Sequence, residues 1–75
     1  MMTFRQLKQG MRARITAIGP SEPAQRLREM GLTVGTEFRV SKIAPLGDPI
    51  EIAFRGQSLC MRRRECEDIE LELVS

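Results

Sequence analysis

Two cysteines are the residues of this sequence most able to carry chemistry, because a thiolate can ligate a metal or attack a substrate. Five residues separate Cys60 from Cys66, whereas the paired cysteine ligands of a structural zinc site lie roughly two to four residues apart. The chain has no second cysteine pair and no histidine. The spacing therefore predicts no zinc site and no disulfide, and we expect both cysteines to be reduced thiols that pack as small apolar side chains.

The hydroxyls and carboxylates of the chain do not form a recognisable catalytic group. Without histidine, a serine or cysteine nucleophile has no usual general base. Glu70 and Glu72 alternate with the apolar residues of a predicted strand, so both should point into water. We expect no enzyme activity and no cofactor. A weak oxygen-ligand site for a divalent ion among the carboxylates of residues 65–72 stays open, because hard cations take such ligands.

Nucleic-acid binding would need a basic surface with aromatic side chains on which bases stack. The aromatic residues Phe4, Phe38 and Phe54 each lie on the apolar face of a predicted element and should belong to the core. The basic run Arg62–Arg64 is followed at once by acidic residues, which would repel phosphate. We therefore expect no nucleic-acid partner. The net charge is +2, with a basic excess in the N-terminal part and an acidic excess beyond it, a polarity that can orient the molecule toward a charged partner.

Alternating apolar and polar residues predict five short strands that would position these side chains. A bulge is expected near Ser41 or Lys42, where the apolar alternation slips, and a tight turn at Gly56 should join two strands into a hairpin. Thr3 and Gln6 fit a capping box and predict a helical turn near the N-terminus, and another is expected before the last strand. The predicted strands cover residues 11–17, 36–44 and 50–54, a returning strand with Leu59 and Met61, and residues 69–73.

One amphipathic helix is predicted between the first two strands. Ser21 or Glu22 can cap its start. Gly31 suits the left-handed position that ends helices, and Leu32 should then fold back onto Leu27. The apolar residues that repeat at three-residue spacing are Ala24, Leu27 and Met30.

These elements fit one small domain that comprises residues 1–75. The order of the elements predicts a mainly β fold, a small five-stranded antiparallel barrel with one short inserted α-helix. We expect the barrel to be closed, because closure removes the edge strands that invite aggregation. No apolar run approaches the roughly twenty residues of a membrane span, and the N-terminus lacks a signal-peptide pattern, so we expect a cytoplasmic protein.

The loop Ala44–Pro49 is the most distinctive surface feature that the residues predict. Two prolines and a glycine restrict its backbone, and Leu46 stands between Pro45 and Gly47, where no core position is evident. Leu46 could cap the end of the barrel or contact a partner, and both interpretations stay open. A rigid apolar loop would lose little entropy on docking, and the neighbouring helix could add to the contact.

Two segments of the chain resemble the FeoA family. Residues 25–36 read Gln-Arg-Leu-Arg-Glu-Met-Gly-Leu-Thr-Val-Gly-Thr, and residues 40–50 contain the run Ala-Pro-Leu-Gly-Asp-Pro. The likeness extends over nearly the whole chain, although Met30 and Val34 replace the leucine and proline that the family often has. The resemblance implies an SH3-like barrel and a role in bacterial ferrous-iron uptake. It implies no role for the two cysteines, which are not part of the family pattern.

The resemblance also implies a partner, the membrane transporter FeoB, whose cytoplasmic portion carries a GTP-binding domain. We therefore expect a non-enzymatic accessory protein that binds this portion and reaches the inner face of the membrane through it. A nucleic-acid-binding barrel and a ferrous-iron carrier with carboxylate or thiol ligands remain alternatives, and self-association stays open. The residues expected to contact the partner are Arg26, Leu27, Met30, Pro45, Leu46, Gly47, Asp48 and Pro49.

Overall fold

Five strands form one antiparallel sheet in the structure, a computed structural model that describes residues 2–74. The strands are β1 (Arg12–Ile18), β2 (Glu37–Ile43), β3 (Ile50–Phe54), β4 (Gln57–Met61) and β5 (Ile69–Leu73). Their order across the sheet is β4-β3-β2-β1-β5. One α-helix, α1 (Glu22–Glu29), follows β1, and 3₁₀ helices cover Phe4–Gln6 and Arg63–Cys66. This architecture confirms the predicted mainly β fold. No helix in the described part of the chain is long and apolar enough to cross a membrane.

Two of the strands carry bulges, which bend the sheet around its core. Against β3, the register of β2 slips between Val40 and Lys42, which confirms the bulge expected near Ser41. A second slip lies between Ile15 and Ala17, where β1 pairs with β5. The sequence does not predict it, because the apolar alternation of β1 continues unbroken through this point. β3 and β4, by contrast, pair in a regular register.

Local hydrogen bonds set both ends of α1. Ser21 is the N-cap, and its Oγ accepts a hydrogen bond from the Ala24 amide at 3.3 Å. At the other end Gly31 has a φ of +108°, and the Leu32 amide donates to the Leu27 carbonyl at 3.1 Å. Both leucines are buried, which confirms the predicted fold-back of the chain at the end of the helix.

The N-terminal 3₁₀ helix begins at the predicted capping box and closes one side of the core. The Thr3 amide donates to Gln6 Oε1 at 2.8 Å. The Phe4 ring stacks on Phe38 with centroids 5.4 Å apart. These two rings and that of Phe54 are buried, so the aromatic side chains belong to the core as expected.

The core draws on every strand and helix of the fold. Burying a large aliphatic or aromatic side chain stabilises a fold by roughly 1.5–3 kcal/mol. Leu73, which the alternation predicts to point inward with Ile69 and Leu71, is instead exposed at the end of β5. The largest fully buried side chains are Phe4, Leu7, Ile15, Leu32, Val40, Ile50, Ile52, Cys66 and Ile69.

The five strands form the predicted small antiparallel barrel, but backbone pairing does not close it, so only the expectation of closure is wrong. Within residues 2–74, β4 and β5 are the two edges and no ladder joins them. The bulged strands curl the sheet, and the four ladders leave a gap between β4 and β5. The N-terminal segment covers one edge, because the Leu71 amide of β5 donates to the Met2 carbonyl at 2.9 Å.

Candidate partner-binding surface

Leu46 projects from the loop Ala44–Pro49 into solvent. Its side chain is 97% exposed, so the interpretation that Leu46 caps the end of the barrel is wrong. The loop is nevertheless tightly folded. The Gly47 amide donates to the Ala44 carbonyl at 2.8 Å, and the Ala44 amide donates to the Pro49 carbonyl at 3.1 Å. The geometry therefore presents a leucine side chain outward from a restrained backbone.

Arg63 holds this loop against the body of the domain. Its Nε donates to the Gly47 carbonyl at 2.7 Å, and its Nη2 donates to the Leu7 carbonyl at 3.3 Å. Its Nη1 donates to the Phe4 carbonyl. One guanidinium thus joins the loop to the N-terminal segment. Sequence reasoning missed this role, because a run of three arginines does not show which of them faces inward.

Asp48 also acts inside the molecule, although the sequence places it among the expected partner contacts. Its Oδ1 accepts a hydrogen bond from the Arg63 amide at 2.8 Å. Its Oδ2 lies 3.7 Å from Nη1 of Arg62. Both carboxylate oxygens therefore have partners within the chain. Asp48 therefore helps to position the loop, and Leu46 is the exposed apolar side chain that the loop presents.

A first concavity, of about 110 Å³, separates α1 from β4. Leu27 lies at its floor and is only 7% exposed, because it also belongs to the core. Met30, 51% exposed, stands at the rim. Arg26 lines it too, with Nη2 at 3.4 Å from Glu22 Oε1 in an exposed ion pair. The helix face expected from the sequence therefore consists of an apolar rim and a basic group above a buried leucine.

A second concavity, of about 320 Å³, lies beside the Leu46 loop. Apolar side chains of β2, the loop and β3 provide much of its wall. Cys60 lines both concavities, so the loop and the helix face are parts of adjoining surfaces. The lining residues are Lys42, Ile43, Ala44, Pro45, Pro49, Ile50, Glu51 and Cys60.

The two thiols have different environments. Cys60 is exposed on the edge strand β4, so its assignment as a packed apolar side chain is wrong. Cys66 is buried, as expected, with Sγ 3.1 Å from Sδ of Met61. Burial, with smaller effects from Glu65 and Asp48, raises the pKa of the Cys66 thiol to about 12. The buried thiol is therefore protonated at neutral pH and unreactive as a nucleophile.

The basic residues of the N-terminal part pair with acidic residues from the C-terminal part. Arg14 Nη2 lies 2.7 Å from Glu72 Oε1, and its Nη1 lies 3.4 Å from Glu37 Oε2. Arg5 Nη2 lies 2.8 Å from Glu67 Oε2. The hydrogen bond to Glu72 raises the pKa of Arg14. The charge polarity along the sequence is therefore partly neutralised in space.

Within residues 2–74, the structure brings together no group of three or more cysteine, aspartate and glutamate side chains that could hold a metal ion. The arginine run does not form a basic stripe either, because Arg63 points inward and Arg62 pairs with Asp48. The fold and its surface define a small mainly β domain with exposed apolar features. A model of the FeoA domain matches residues 2–73, and the chain belongs to the FeoA family.

Solved structures of FeoA proteins share this fold. The FeoA protein of Chlorobium tepidum is 39% identical with a TM-score of 0.85, over 99% of this chain and 71% of that chain. Iron(II) transport protein A of Clostridium thermocellum is 35% identical with a TM-score of 0.86, over 97% of this chain and 46% of that chain. FeoA of Stenotrophomonas maltophilia, solved with zinc and described as an SH3 domain protein, is 23% identical with a TM-score of 0.80, over 96% of this chain and 91% of that chain. The family is associated with ferrous iron transport.

Proposed function

We propose that this protein is a non-enzymatic accessory factor of ferrous-iron uptake that binds the cytoplasmic part of a FeoB-type membrane transporter. Membership of the FeoA family supports the link to ferrous iron transport. The observation that carries the proposal is Leu46, an almost fully exposed leucine on a loop that Arg63 holds in place. Covering such an exposed apolar side chain with the surface of a partner removes it from water and so favours the formation of a complex.

The proposed contact centres on Leu46 and extends over both concavities. Full burial of a leucine in a pocket of the transporter would stabilise the complex by roughly 1.5–3 kcal/mol. The restrained loop loses little conformational entropy on docking, so most of this gain is retained. Met30 and Arg26 supply a second contact at the α1–β4 concavity.

The proposed effect of binding is activation of the transporter. FeoA of Stenotrophomonas maltophilia is described as a candidate activating factor of bacterial ferrous iron transport. A docking domain can act in this way when it binds one conformation of its partner more tightly than another. The protein would accordingly work in the cytoplasm, at the inner face of the membrane, and would bind more tightly to one guanine-nucleotide state.

Leu46→Asp tests the proposal directly. Placing a carboxylate where an apolar side chain is buried should lower the affinity for the transporter's cytoplasmic portion by about tenfold or more. The measurement is anaerobic calorimetry with the purified cytoplasmic portion, with and without guanine nucleotide. The rate of GTP hydrolysis, recorded in the same samples, tests for activation.

Val34→Asp is the matched control, because Val34 is also a branched apolar residue in an exposed turn and lines neither concavity. This variant should bind like the wild type. Circular dichroism and thermal unfolding establish that both variants are folded. Equal affinity of wild type and folded Leu46→Asp would contradict the assigned role of the loop, and no binding by the wild type would contradict the proposed function itself.

A further inference from the structure

The two edges of the sheet differ in how they are covered. The edge strand β5 pairs with the N-terminal segment through the hydrogen bond from Leu71 to Met2. The other edge strand, β4, lies beside the first concavity. Among residues 2–74, no backbone hydrogen bond outside the strand ladders involves Ser58 or Cys60 of this strand. The sheet therefore keeps one open edge.

The register of the β3–β4 hairpin shows which groups face outward. Arg55 and Gly56 have φ values of 49° and 77°, which is typical of a two-residue hairpin turn whose flanking residues form a hydrogen-bonded pair. Hydrogen-bonded and non-hydrogen-bonded pairs then alternate along the ladder. Ser58 opposite Ala53 and Cys60 opposite Glu51 occupy the non-hydrogen-bonded positions. Their N–H and C=O groups therefore point away from β3.

β4 lacks the features that usually protect an exposed edge. Natural sheets prevent unwanted pairing with charged residues, proline, bulges or a covering segment. β4 reads Gln-Ser-Leu-Cys-Met, with no charge and no proline, and its register against β3 has no slip. A regular, uncharged edge with free donors and acceptors is a template for another strand. Such groups specify an extended backbone as the complementary ligand.

We propose that β4 accepts an extended segment of the transporter's cytoplasmic portion as a sixth strand, which deepens and rests on the proposed function. The donors and acceptors of Ser58 and Cys60 would pair with the segment's backbone. One apolar side chain of the segment would enter the concavity of about 110 Å³ between β4 and α1. The concavity wall carries exposed Arg26, which also pairs with Glu22, as well as Glu65, and exposed Arg55 lies at the end of the strand. Acidic residues of the segment would therefore pair with the two arginines at positions away from Glu65.

Amide hydrogen exchange of the wild-type protein, resolved by residue, tests the pairing without any substitution. On addition of the transporter's cytoplasmic portion, exchange of the Ser58 and Cys60 amides should slow by about tenfold or more, because outward N–H groups become hydrogen-bonded. Ser58→Pro removes one of these donors at a position where proline is tolerated in edge strands. It should lower the affinity by about tenfold, whereas Ser58→Ala should bind like the wild type.

The charge complementarity has its own pair of variants. Arg26→Gln should weaken binding severalfold, and Arg28→Gln, a change on the same helix outside the concavity, should not.

If the wild type binds and Leu46→Asp weakens this binding while the amides of Ser58 and Cys60 stay unprotected, the sixth strand is refuted and the proposed function stands. No binding by the wild type overturns both. A wild-type dimer in sedimentation equilibrium that Ser58→Pro converts to monomer would assign the edge to a second copy and also overturn the proposal.

Discussion

A single side chain, Arg63, joins segments that are far apart in the sequence. Its guanidinium donates to carbonyls of Phe4, Leu7 and Gly47, and its amide donates to Asp48. The planar fork of five N–H donors allows one residue to satisfy carbonyls in several directions, which a lysine ammonium on a flexible stem does not reproduce. Arg63 is therefore a positioning residue for the exposed Leu46.

Arg63→Met should lower the free energy of unfolding by about 2–3 kcal/mol, because three carbonyls lose a charged donor. Amide exchange in residues 44–49 should accelerate more than exchange in the strands. Urea unfolding and residue-resolved hydrogen exchange measure the two effects. Arg64→Met is the control, since Arg64 is the exposed neighbour on the same 3₁₀ helix. Loss of stability by the same amount in both variants would show that Arg63 does not anchor the loop specifically.

The sequence locates the loop of the candidate surface but not the orientation of its side chains. The position of Leu46 between a proline and a glycine leaves both a barrel cap and a partner contact open, and only the structure shows that Leu46 is exposed. The inward orientations of Arg63 and Asp48 depend on contacts with residues tens of positions away, for which no local periodicity exists. Cys60 was misassigned for the same reason, because only the strand order shows that β4 is an edge.

At the scale of elements, the position of α1 depends on the contact between Gly19 and Asp68. The Gly19 amide donates to the Asp68 carbonyl at 2.8 Å, and Asp68 Oδ2 accepts from the Ser21 amide at 2.9 Å. A Cβ at position 19 would lie 2.1 Å from Asp68 Oδ2, which no real contact allows. The carboxylate therefore fixes the start of α1 relative to β5, and a Cβ at position 19 would displace it.

Gly19→Ala should destabilise the fold by about 1–3 kcal/mol, because the added methyl group clashes with the Asp68 carboxylate. Asp68→Ala should destabilise it by a similar amount, because the hydrogen bond to the Ser21 amide is lost. The double variant should be more stable than the sum of the two effects predicts, because removing the carboxylate relieves the clash. We expect a coupling of about 1 kcal/mol or more in a double-mutant cycle measured by urea unfolding. Strictly additive effects would show that the methyl group and the carboxylate do not compete for this space.

Local chemistry explains why some elements were predictable and others were not. The capping residues Thr3 and Ser21 and the helix-ending Gly31 act within a few residues of themselves, so the sequence shows both the helix ends and their hydrogen bonds. The bulge in β2 was predictable because the apolar alternation slips there. The slip between Ile15 and Ala17 arises from pairing with β5, which lies more than fifty residues away in the chain.

At the scale of the whole molecule, the folded structure differs from what two sequence patterns indicate, namely the distribution of charge and the closure of the barrel. The polarity of charge along the chain is partly cancelled, because β1 lies between β2 and β5 and its Arg14 meets carboxylates from both. These pairs are exposed, so solvent screens them and each adds little to the stability of the fold. The barrel expected from five strands is present but is not closed by backbone pairing, because no ladder joins β4 and β5 within residues 2–74. Neither outcome follows from composition, because both depend on strand order.

The buried thiol of Cys66 makes the stability of the whole domain sensitive to alkaline pH. Burial raises the pKa of this thiol from 9.0 to about 12, so above pH 9 the unfolded chain releases a proton that the native state keeps. The free energy of unfolding should therefore fall with rising pH, with a contribution of up to about 1.4 kcal/mol per pH unit, and should show no such contribution below pH 9.

Cys66→Ala should remove this dependence when the free energy of unfolding is measured by urea unfolding between pH 8 and about pH 11. The same variant lowers stability at neutral pH, because it leaves a small cavity. Cys60→Ala leaves the buried thiol in place and should retain the wild-type slope. Identical slopes for wild type and Cys66→Ala would mean that the native state does not hold this proton more tightly than the unfolded chain does.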